Sequence, residues 1–312
     1  MTPCLQILKA HTGTSLQDLG RANLAHYGIT QGGAADEYAF NWANKLLANP
    51  YNSPAIEITL GGFEAKVLKA NTIAITGAKN NVLINGKPVT SWQSYRVKAN
   101  DILKLLPSRE GLRSYLAVGG GFDVPLALGS CATVLKDKLG GLNKNGNPLA
   151  VGDLLSSHDN IGILKETSVS PTFIPEYTQE VVLRVIAGSQ APLFDESEYD
   201  KLFQQSFLIS PAASKMGYQL KGEPIKIPKA DLISEPIALG AIQIPPSGEP
   251  IIMLCERQTI GGYHKLGQVA RMDISKLAQA RPGQQIRFVP VRGNASAQEY
   301  VSWLKFFDSA YD

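Results

Sequence analysis

The chain has 312 residues, of which 44% are hydrophobic, so it is long enough for two domains that each bury a core. The formal net charge is only +3 and the lysines and arginines are scattered, which argues against a nucleic-acid-binding protein. No apolar run approaches the roughly 20 residues that cross a bilayer, which argues against a transmembrane helix.

The chain contains few residues that typically bind metals. Its three cysteines, Cys4, Cys131 and Cys255, lie far apart and form no CxxC pair, and its four histidines are isolated. The first residues, MTPCLQILKAHTG, lack the apolar segment of a signal peptide. We therefore expect a reduced, cytoplasmic protein without a metal site.

Short β-like runs bounded by Gly, Asn or Pro dominate the first half. Strands are expected at Leu5–Ala10, Thr72–Thr76, Asn81–Ile84, Ile102–Leu106 and Ser114–Val118. One helix interrupts them at Asp36–Asn49, where apolar residues recur at helical spacing and Asn49-Pro50 ends the pattern. The apolar face of this helix consists of Ala39, Trp42, Ala43, Leu46 and Leu47.

The second half repeats this composition after a proline-containing segment. Glu166–Gln179 has two prolines and little periodicity, which suggests a linker. A strand is expected at Val181–Ile186, and a helix at Asp195–Ser206 directs Tyr199, Leu202 and Phe203 inward. A capping box, Ser296-Ala-Gln-Glu299, predicts the start of a C-terminal helix that carries Tyr300, Val301, Leu304 and Phe307.

These elements predict the fold class. The helices are too few, and the strands too short and closely spaced, for a doubly wound α/β sheet. We predict an all-β protein of barrels or sandwiches. Its N-terminal domain spans residues 1–170 with an inserted helix at 36–48, and its C-terminal domain spans 180–312 and ends in a helix.

The segment Gly240–Tyr263 is the strongest candidate for a ligand site. Two apolar runs, Ala241–Ile244 and Ile251–Leu254, flank a turn-forming PPSGEP and predict strand, tight loop, strand. The second strand continues into Glu256–Tyr263 (ERQTIGGY), which combines charged, amide and hydroxyl groups with two glycines. A rigid strand positions such side chains, and glycine lets backbone N–H groups approach a ligand closely.

Two other polar clusters allow a functional and a structural interpretation. Gln17, Asp18 and Arg21 present an amide, a carboxylate and a guanidinium that bind a substrate carboxylate if Asp18 orients Arg21. Alternatively, Asp18 and Arg21 only brace a loop. Lys215 and Tyr218 supply a charge and a hydroxyl, or are an exposed lysine and a half-buried tyrosine of an ordinary turn.

The chain resembles the family of 5-oxoprolinase C subunits, also labelled allophanate hydrolase subunit 2, biotin-dependent carboxyltransferase or KipA. The resemblance covers nearly the whole chain, and its segments run in family order. They are TSLQDLGR (14–21), GITQGGAAD (28–36), PAIEITLGG (54–62), TGA (76–78), RSYLAVGGGFDVPLALGS (113–130), KMGYQL (215–220) and Gly240–Tyr263.

The chain departs from the family pattern at several positions. The family's Asp-x-Gln-Thr-Thr-Gly-Gly-Tyr-Pro appears here as Glu256-Arg-Gln-Thr-Ile-Gly-Gly-Tyr-His264. An arginine of the family's Asn-Arg-Met-Gly-Tyr-Arg is Lys215 here, and lysine lacks the bidentate fork of arginine. Substrate preference or activity is expected to differ if these positions bind substrate.

The resemblance implies two cyclophilin-like β-barrels with a cleft between them, and it implies a complex. Relatives work together with a KipI-like B subunit, as well as with a LamB/YcsF-like A subunit, to open 5-oxo-L-proline to L-glutamate with ATP. ATP and Mg are then co-substrates of the complex, and no tightly bound cofactor or metal is expected. The chain has no nucleotide-binding motif of its own, so the ATP site is shared or lies on a partner.

Two alternatives to this function follow from the same resemblance. One is a carboxyltransferase module of a biotin-dependent urea or amide carboxylase, with biotin carried by another chain. The other is a non-catalytic KipA-like antagonist that binds a kinase inhibitor.

In the 5-oxoprolinase interpretation, residues far apart in sequence converge on one cleft, because each segment alone has too few donors for a small anion. Gly262→Val is expected to abolish ligand binding without unfolding the protein. Arg21→Ala is expected to cost about 2–4 kcal/mol of transition-state stabilisation, or to lower the melting temperature if Arg21 is only a brace. The predicted catalytic residues are Arg21, Gln258, Thr259 and Tyr263, and the predicted substrate-binding residues are Gln17, Asp18, Lys215, Tyr218, Gly261 and Gly262.

Overall fold

The computed structural model describes residues 2–158, 164–178, 180–229 and 232–308. The chain falls into two compact units. The first contains the residues up to Arg21 together with Gly32–Thr178, and the second contains Ala22–Gln31 and the described residues after Gln179. The short segment Ala22–Gln31 thus belongs with the second half of the chain.

The described residues of the first unit form twelve short strands, one α-helix and a short 3-10 helix at Pro171–Phe173. The α-helix, α1, spans Glu37–Lys45. The strands are β1 (Pro3–Lys9), β2 (Thr14–Gln17), β3 (Ala55–Thr59), β4 (Phe63–Val67), β5 (Asn71–Lys79), β6 (Val82–Ile84), β7 (Lys87–Val89), β8 (Gln93–Val97), β9 (Ile102–Leu105), β10 (Glu110–Val118), β11 (Phe122–Asp123) and β12 (Leu154–Ser157).

These strands form two antiparallel sheets around one core. The seven-stranded sheet has the order β11-β12-β1-β4-β9-β6-β7, and the five-stranded sheet has the order β2-β3-β10-β5-β8. Alternate apolar residues of both sheets enter a single core cluster, as the period of two in a strand requires. Helix α1 packs on β5 and β10, and Asp36 caps it by accepting a hydrogen bond from the Ala39 N–H at 3.0 Å.

A closed barrel forms the second unit. Its helices are α2 (Glu196–Gln204), α3 (Ile274–Gln279) and α4 (Gly293–Phe307). Its strands are β13 (Val181–Ala187), β14 (Ser206–Ile209), β15 (Gly217–Lys221), β16 (Glu235–Pro236), β17 (Ala241–Ile244), β18 (Ile251–Met253), β19 (Ile260–Gly261), β20 (His264–Val269) and β21 (Gln285–Pro290).

The barrel order is β13-β20-β17-β18-β15-β14-β21, and the parallel pair of β13 and β21 closes it. The short strands β16 and β19 pair with each other outside the barrel. The predicted predominance of strands is therefore confirmed. No helix within the described ranges is both long and apolar enough to cross a membrane.

The predicted start of the C-terminal helix is wrong. Helix α4 begins at Gly293, with Arg292 at its N-cap and without a side-chain capping bond, so Ser296 lies inside the first turn. The Glu299 carboxylate, expected to close a capping box, instead accepts a hydrogen bond from Arg184 Nη1 at 2.6 Å. The Glu299 carboxylate therefore belongs to an ion-pair network with Arg184 and Asp273 and does not cap the helix.

The proline-containing segment predicted as a linker is packed against the first unit. The Ser94 N–H donates to the Thr167 carbonyl oxygen at 2.8 Å, and the Val169 N–H donates to the Trp92 carbonyl oxygen at 2.9 Å. Residues 167–169 therefore cover the free edge of β8. Gln179, the last residue of the predicted linker, lies outside the described residues.

Candidate functional site

Asp18 and Arg21 hold the loop at residues 127–132 of the first unit. Arg21 is 3% exposed and donates from Nε to the Ala127 carbonyl oxygen at 3.0 Å and from Nη1 to the Ala132 carbonyl oxygen at 2.9 Å. Asp18 accepts from Ser130 Oγ at 2.6 Å and from the Cys131 N–H at 2.8 Å. Burial lowers the pKa of Arg21, which Asp18 counteracts. Asp18 and Arg21 therefore act as a structural brace, that is, their side chains fix the backbone of the 127–132 loop.

Gln17 lies beside this brace. Its Nε2 donates to the Thr133 carbonyl oxygen at 3.2 Å, and its buried Oε1 has no hydrogen-bond partner among the described residues. The first cluster predicted from sequence is therefore assembled in the structure around the 127–133 loop. A direct role of Gln17, Asp18 or Arg21 in binding substrate stays a prediction.

A buried carboxylate network, which the sequence did not indicate, lies in the same unit. Glu57 is 1% exposed, pairs across the sheet with Tyr115, and accepts a hydrogen bond from its hydroxyl at 2.7 Å. The same carboxylate accepts from the Ala35 N–H at 2.8 Å, and the Tyr115 hydroxyl accepts from the Asp36 N–H at 2.8 Å. The network fixes the chain where it enters α1. An acidic residue inside the apolar run AIEIT was the available signal.

A cavity of about 780 Å³ also lies in the first unit, lined mainly by residues 79–83, 88–92 and 174–177. At its floor, Trp92 is 3% exposed, adopts φ +64°, and donates from Nε1 to the Gly77 carbonyl oxygen at 2.9 Å. None of the residues predicted to form the site lines this cavity.

The Gly240–Tyr263 segment folds as its sequence predicts. Strand β17 spans Ala241–Ile244 and β18 spans Ile251–Met253. Between them Gly248 adopts φ +80°, which favours glycine, and its N–H donates to the Pro245 carbonyl oxygen at 2.9 Å. Ile242 and Ile244 lie in the barrel core. Because side chains alternate along a strand, Ala241 and Gln243 lie on the outer face of the barrel.

Three residues on this outer face form what we call the amide site: Gln243, Gln258 and Gly261. A Cβ atom placed on Gly261 would lie 3.0 Å from Gln258 Nε2 and 3.5 Å from Gln243 Nε2. Gln243 is 1% exposed, whereas Gln258 is exposed. One amide is thus accessible to solvent and the other is buried, and both lie close to the Gly261 backbone.

A network of Gln190, Glu235 and Lys265, here called the polar frame, borders the amide site. Glu235 lies opposite Gly261 in the β16–β19 pair, and Lys265 lies opposite Gln243 in the β17–β20 pair. Glu235 forms an ion pair with Lys265 and accepts a hydrogen bond from Gln190 Nε2. Gln190 Oε1 in turn accepts from the Lys265 N–H at 2.7 Å. The frame fixes the two strands that carry the amide site.

The remaining predicted residues of the second unit have different environments. Lys215 pairs with Glu256, with 3.5 Å between Nζ and Oε1. Tyr218 is 1% exposed in the barrel core and donates to the Ala280 carbonyl oxygen at 3.4 Å, so its side chain belongs to the core. The Thr259 carbonyl oxygen accepts a hydrogen bond from the Ile237 N–H at 3.0 Å, and this bond anchors the loop between β18 and β19. Tyr263 is 43% exposed.

The side chain of Arg257 also anchors the loop between β18 and β19. Its Nε donates to the Ile237 carbonyl oxygen at 2.8 Å, and its Nη1 approaches the Leu254 carbonyl oxygen at 3.2 Å and Gln31 Oε1 at 3.3 Å. Burial lowers the pKa of Arg257. These contacts connect the loop to the segment Ala22–Gln31, and no local sequence pattern indicated them.

The structure therefore brings together Gln258 and Gly261 from the predicted set and adds Gln243, which sequence reasoning missed. The signal for Gln243 was a lone glutamine between two isoleucines of a buried strand. Gly261 is closely packed, since a Cβ atom there would lie 2.7 Å from Ile237 Cδ1, and the exposed amide of Gln258 beside it can bind a carbonyl or carboxylate oxygen of a small molecule. The convergence of this site with Arg21 stays a prediction.

Comparison with known proteins agrees with this architecture. Residues 27–290 match the family model of the carboxyltransferase domain, subdomain A and B. The chain is 33% identical to the 5-oxoprolinase C subunit of Haemophilus influenzae, covering 92% of this chain and 91% of that protein. It is 35% identical to the protein of the same name from Escherichia coli K12, covering 91% and 90%.

A solved structure shares the fold over the whole chain. The urea amidolyase of K. lactis superposes with a TM-score of 0.91 at 27% identity. The match covers 100% of this chain but only 20% of that enzyme.

Proposed function

Because the chain belongs to the carboxyltransferase-domain family, subdomain A and B, we propose that it is the C subunit of an ATP-dependent 5-oxoprolinase. This enzyme opens 5-oxo-L-proline to L-glutamate. The observation that carries the proposal is the pair of relatives named as 5-oxoprolinase C subunits, which match this chain over about nine-tenths of their own lengths.

The chemistry explains why such a protein acts in a complex. A lactam carbonyl is a poor electrophile, and phosphorylation of its oxygen by ATP creates a leaving group and a carbon that water attacks. Addition of this water and cleavage of the C–N bond release the amine and leave an acyl phosphate, and a second water hydrolyses the acyl phosphate to the carboxylate of glutamate and inorganic phosphate. We propose that the partners are a KipI-like protein and a LamB/YcsF-like protein, as the B and A subunits respectively, and that ATP with Mg binds wholly or partly on them.

The contribution proposed for this chain is to hold and orient the substrate. The amide site supplies neutral hydrogen-bond donors, and the polar frame holds the strands that present them. Donors fixed by surrounding structure need no reorganisation when the carbonyl is activated, which is how preorganised groups stabilise developing charge. The chain without partners is not expected to turn over substrate.

A carboxyltransferase activity is the second candidate, and the superposition on urea amidolyase favours it. In that case carboxybiotin on another chain would donate its carboxyl group to the nitrogen of a urea or amide. The same site would then hold the carbonyl of the acceptor molecule.

The deciding experiment measures ADP release that depends on 5-oxoproline, with this chain alone, with the two candidate partner proteins alone, and with all three. The proposal predicts release and stoichiometric glutamate only in the complete mixture. ADP release that is independent of this chain would contradict the proposal. Carboxylation of urea by a biotin carboxylase only when this chain is added would support the second candidate instead.

A further inference from the structure

The two-stranded ribbon of β16 and β19 has a strand edge that the protein itself does not use. Across the ribbon, the Ile237 N–H donates to the Thr259 carbonyl oxygen at 3.0 Å. Because inward and outward backbone groups alternate along antiparallel strands, every second residue of this segment turns its N–H and C=O away from β16. These residues are Gln258, Ile260 and Gly262, whose backbone groups have no hydrogen-bond partner among the described residues. We call residues 258–262 the open edge.

The open edge is accessible from solvent. Gln258 and Gly262 are exposed, and Ile260 is 57% exposed. A Cβ atom on Gly262 would approach only Ser234 Oγ, at 3.3 Å, so there is free space beside the backbone at this position. Another chain can therefore reach the unpaired backbone groups directly.

Three other strand edges of this protein are protected. The backbone N–H groups of Thr133 and Leu149 donate to β2, residues 167–169 cover β8, and Pro88 leaves β7 without one of its donors. Proteins usually protect such edges because unpaired N–H and C=O groups are a template for pairing with another chain. The edge of β19 is open where these edges are closed, which indicates that another chain uses it.

The chemistry of the open edge matches an extended polypeptide segment. Its donors and acceptors recur at every second residue, roughly 6.8 Å apart, as do those of a facing strand. The nearby charges are already paired, Lys265 with Glu235 and Lys215 with Glu256, and the central side chain is Ile260. When a strand is added to an edge, backbone hydrogen bonds supply the affinity and side-chain contacts supply the specificity. The segment that fits this edge is therefore uncharged and apolar.

We propose that a partner subunit of the complex adds an extended segment to the open edge of β19. This inference rests on the proposed function for the existence of partner subunits, but not for the mode of recognition. The segment places an apolar residue opposite Ile260 and a large residue opposite Gly262, where no side chain competes for the space. These two residues of the partner lie two positions apart in its sequence.

Hydrogen exchange followed by mass spectrometry tests the backbone contact directly. The full chain is measured alone and with each of the two candidate partner proteins, in peptides that cover residues 256–263. We expect the outward amides of the open edge to exchange rapidly in the chain alone and at least tenfold more slowly in a complex, because they become hydrogen-bonded. Unchanged exchange of these peptides in a complex that has formed would overturn the inference.

Ile260→Pro removes the central donor of the open edge. The lost N–H has no partner among the described residues, and Pro236 already occupies the facing position on β16, so the ribbon should tolerate the change. Ile260→Thr is the matched control, because it keeps the N–H and the β-branched shape. We expect Ile260→Pro to weaken the complex about 100-fold, as for the loss of two backbone hydrogen bonds, and Ile260→Thr to weaken it less than about tenfold.

Equal effects of the two substitutions on the affinity would overturn the inference. The melting temperature of each variant shows whether it folds as the wild type does. The exchange measurement needs no variant, so it decides the question if Ile260→Pro does not fold.

The outcomes also distinguish this inference from the proposed function. A complex that is lost in Ile260→Pro but never turns over 5-oxoproline would support the inference and reject the function. Turnover of 5-oxoproline by a complex whose affinity is unchanged in Ile260→Pro would do the reverse. Protection of the open edge in the chain alone that disappears on dilution would assign this edge to a second copy of the chain and would overturn the inference.

Discussion

Removal of the Arg21 guanidinium should destabilise the first unit rather than only its chemistry. The side chain makes two short bonds to backbone carbonyls of the 127–132 loop, at 3.0 Å and 2.9 Å, and a third to Ser130 at 3.4 Å that adds little. Hydrogen bonds from a charged donor contribute about 1.5–3 kcal/mol each. Burial of the charged guanidinium costs free energy, which is why it lowers the pKa of Arg21. Arg21→Ala removes this cost, and that offsets part of the loss. We therefore expect Arg21→Ala to lower the free energy of unfolding by about 3 kcal/mol.

The assay is urea unfolding followed by tryptophan fluorescence, since Trp42 and Trp92 are buried in the same unit. Arg109→Ala, at an exposed arginine of this unit, is the control and should change stability by less than about 0.5 kcal/mol. Asp18→Asn weakens the other half of the brace. A double-mutant cycle should then show a coupling of about 1 kcal/mol or more, because both residues hold the same loop.

Full stability in Arg21→Ala would refute this reasoning. If such a stable variant also lost activity in the reconstituted complex, Arg21 would be a substrate ligand rather than a brace. A large loss of stability together with unchanged activity of the remaining folded protein would assign it wholly to the loop.

Three further predictions concern other sites. Arg184 donates to the fully buried Asp273 from its backbone N–H, Nε and Nη2 at 2.8–3.0 Å, so Asp273→Asn should cost about 3 kcal/mol in urea unfolding. Burial raises the pKa of Asp273, but the bonds from Arg184 and Lys276 outweigh it and lower the pKa below 3.8. Its stabilisation is therefore present above about pH 4 and lost as the pH falls through the lowered pKa, and the asparagine variant should lack this acid dependence. Gly261→Ala should weaken 5-oxoproline binding about tenfold in a titration, because the new methyl group would lie 2.7 Å from Ile237 Cδ1 and 3.0 Å from Gln258 Nε2 and so displaces the loop, and unchanged affinity would contradict a role of this loop in binding. Cys131 should resist a thiol reagent such as DTNB in the native protein and react after unfolding, because burial raises the pKa of its thiol, and rapid native labelling would contradict its burial.

Much of the local structure could be predicted from the sequence. Apolar runs and turn residues located eight of the twenty-one strands in the described residues, and the run Ala241–Ile244 matches β17 residue for residue. The helical spacing after Asp36 identified α1, but the helix ends at Lys45, so the predicted end at Asn49 is wrong and Leu46 and Leu47 lie in the following turn. These features depend on residues close together in the chain, where propensity, capping and periodicity act directly. The short helix α3 was missed because six residues give too little periodicity to recognise.

The candidate site was only partly visible in the sequence. The ERQTIGGY segment identified Gln258 and Gly261 as neighbours of a ligand, since both lie in one polar, glycine-containing loop. Gln243 looked like an ordinary strand residue. Its role depends on which face of β17 is turned outward and on β16 and β19 covering that face, and neither can be read from a four-residue run.

Local patterns determined which segments of this protein are strands, which are helices and where ligand-type side chains are concentrated. Only the tertiary structure decided that Arg21 bonds to carbonyls more than one hundred residues away, that Glu299 pairs with Arg184 rather than capping α4, and that Gln243 lies beside Gly261. The physical reason is that a side chain has many chemically equivalent partners in a long chain. Sheet register and burial choose among them, and both are properties of the whole fold.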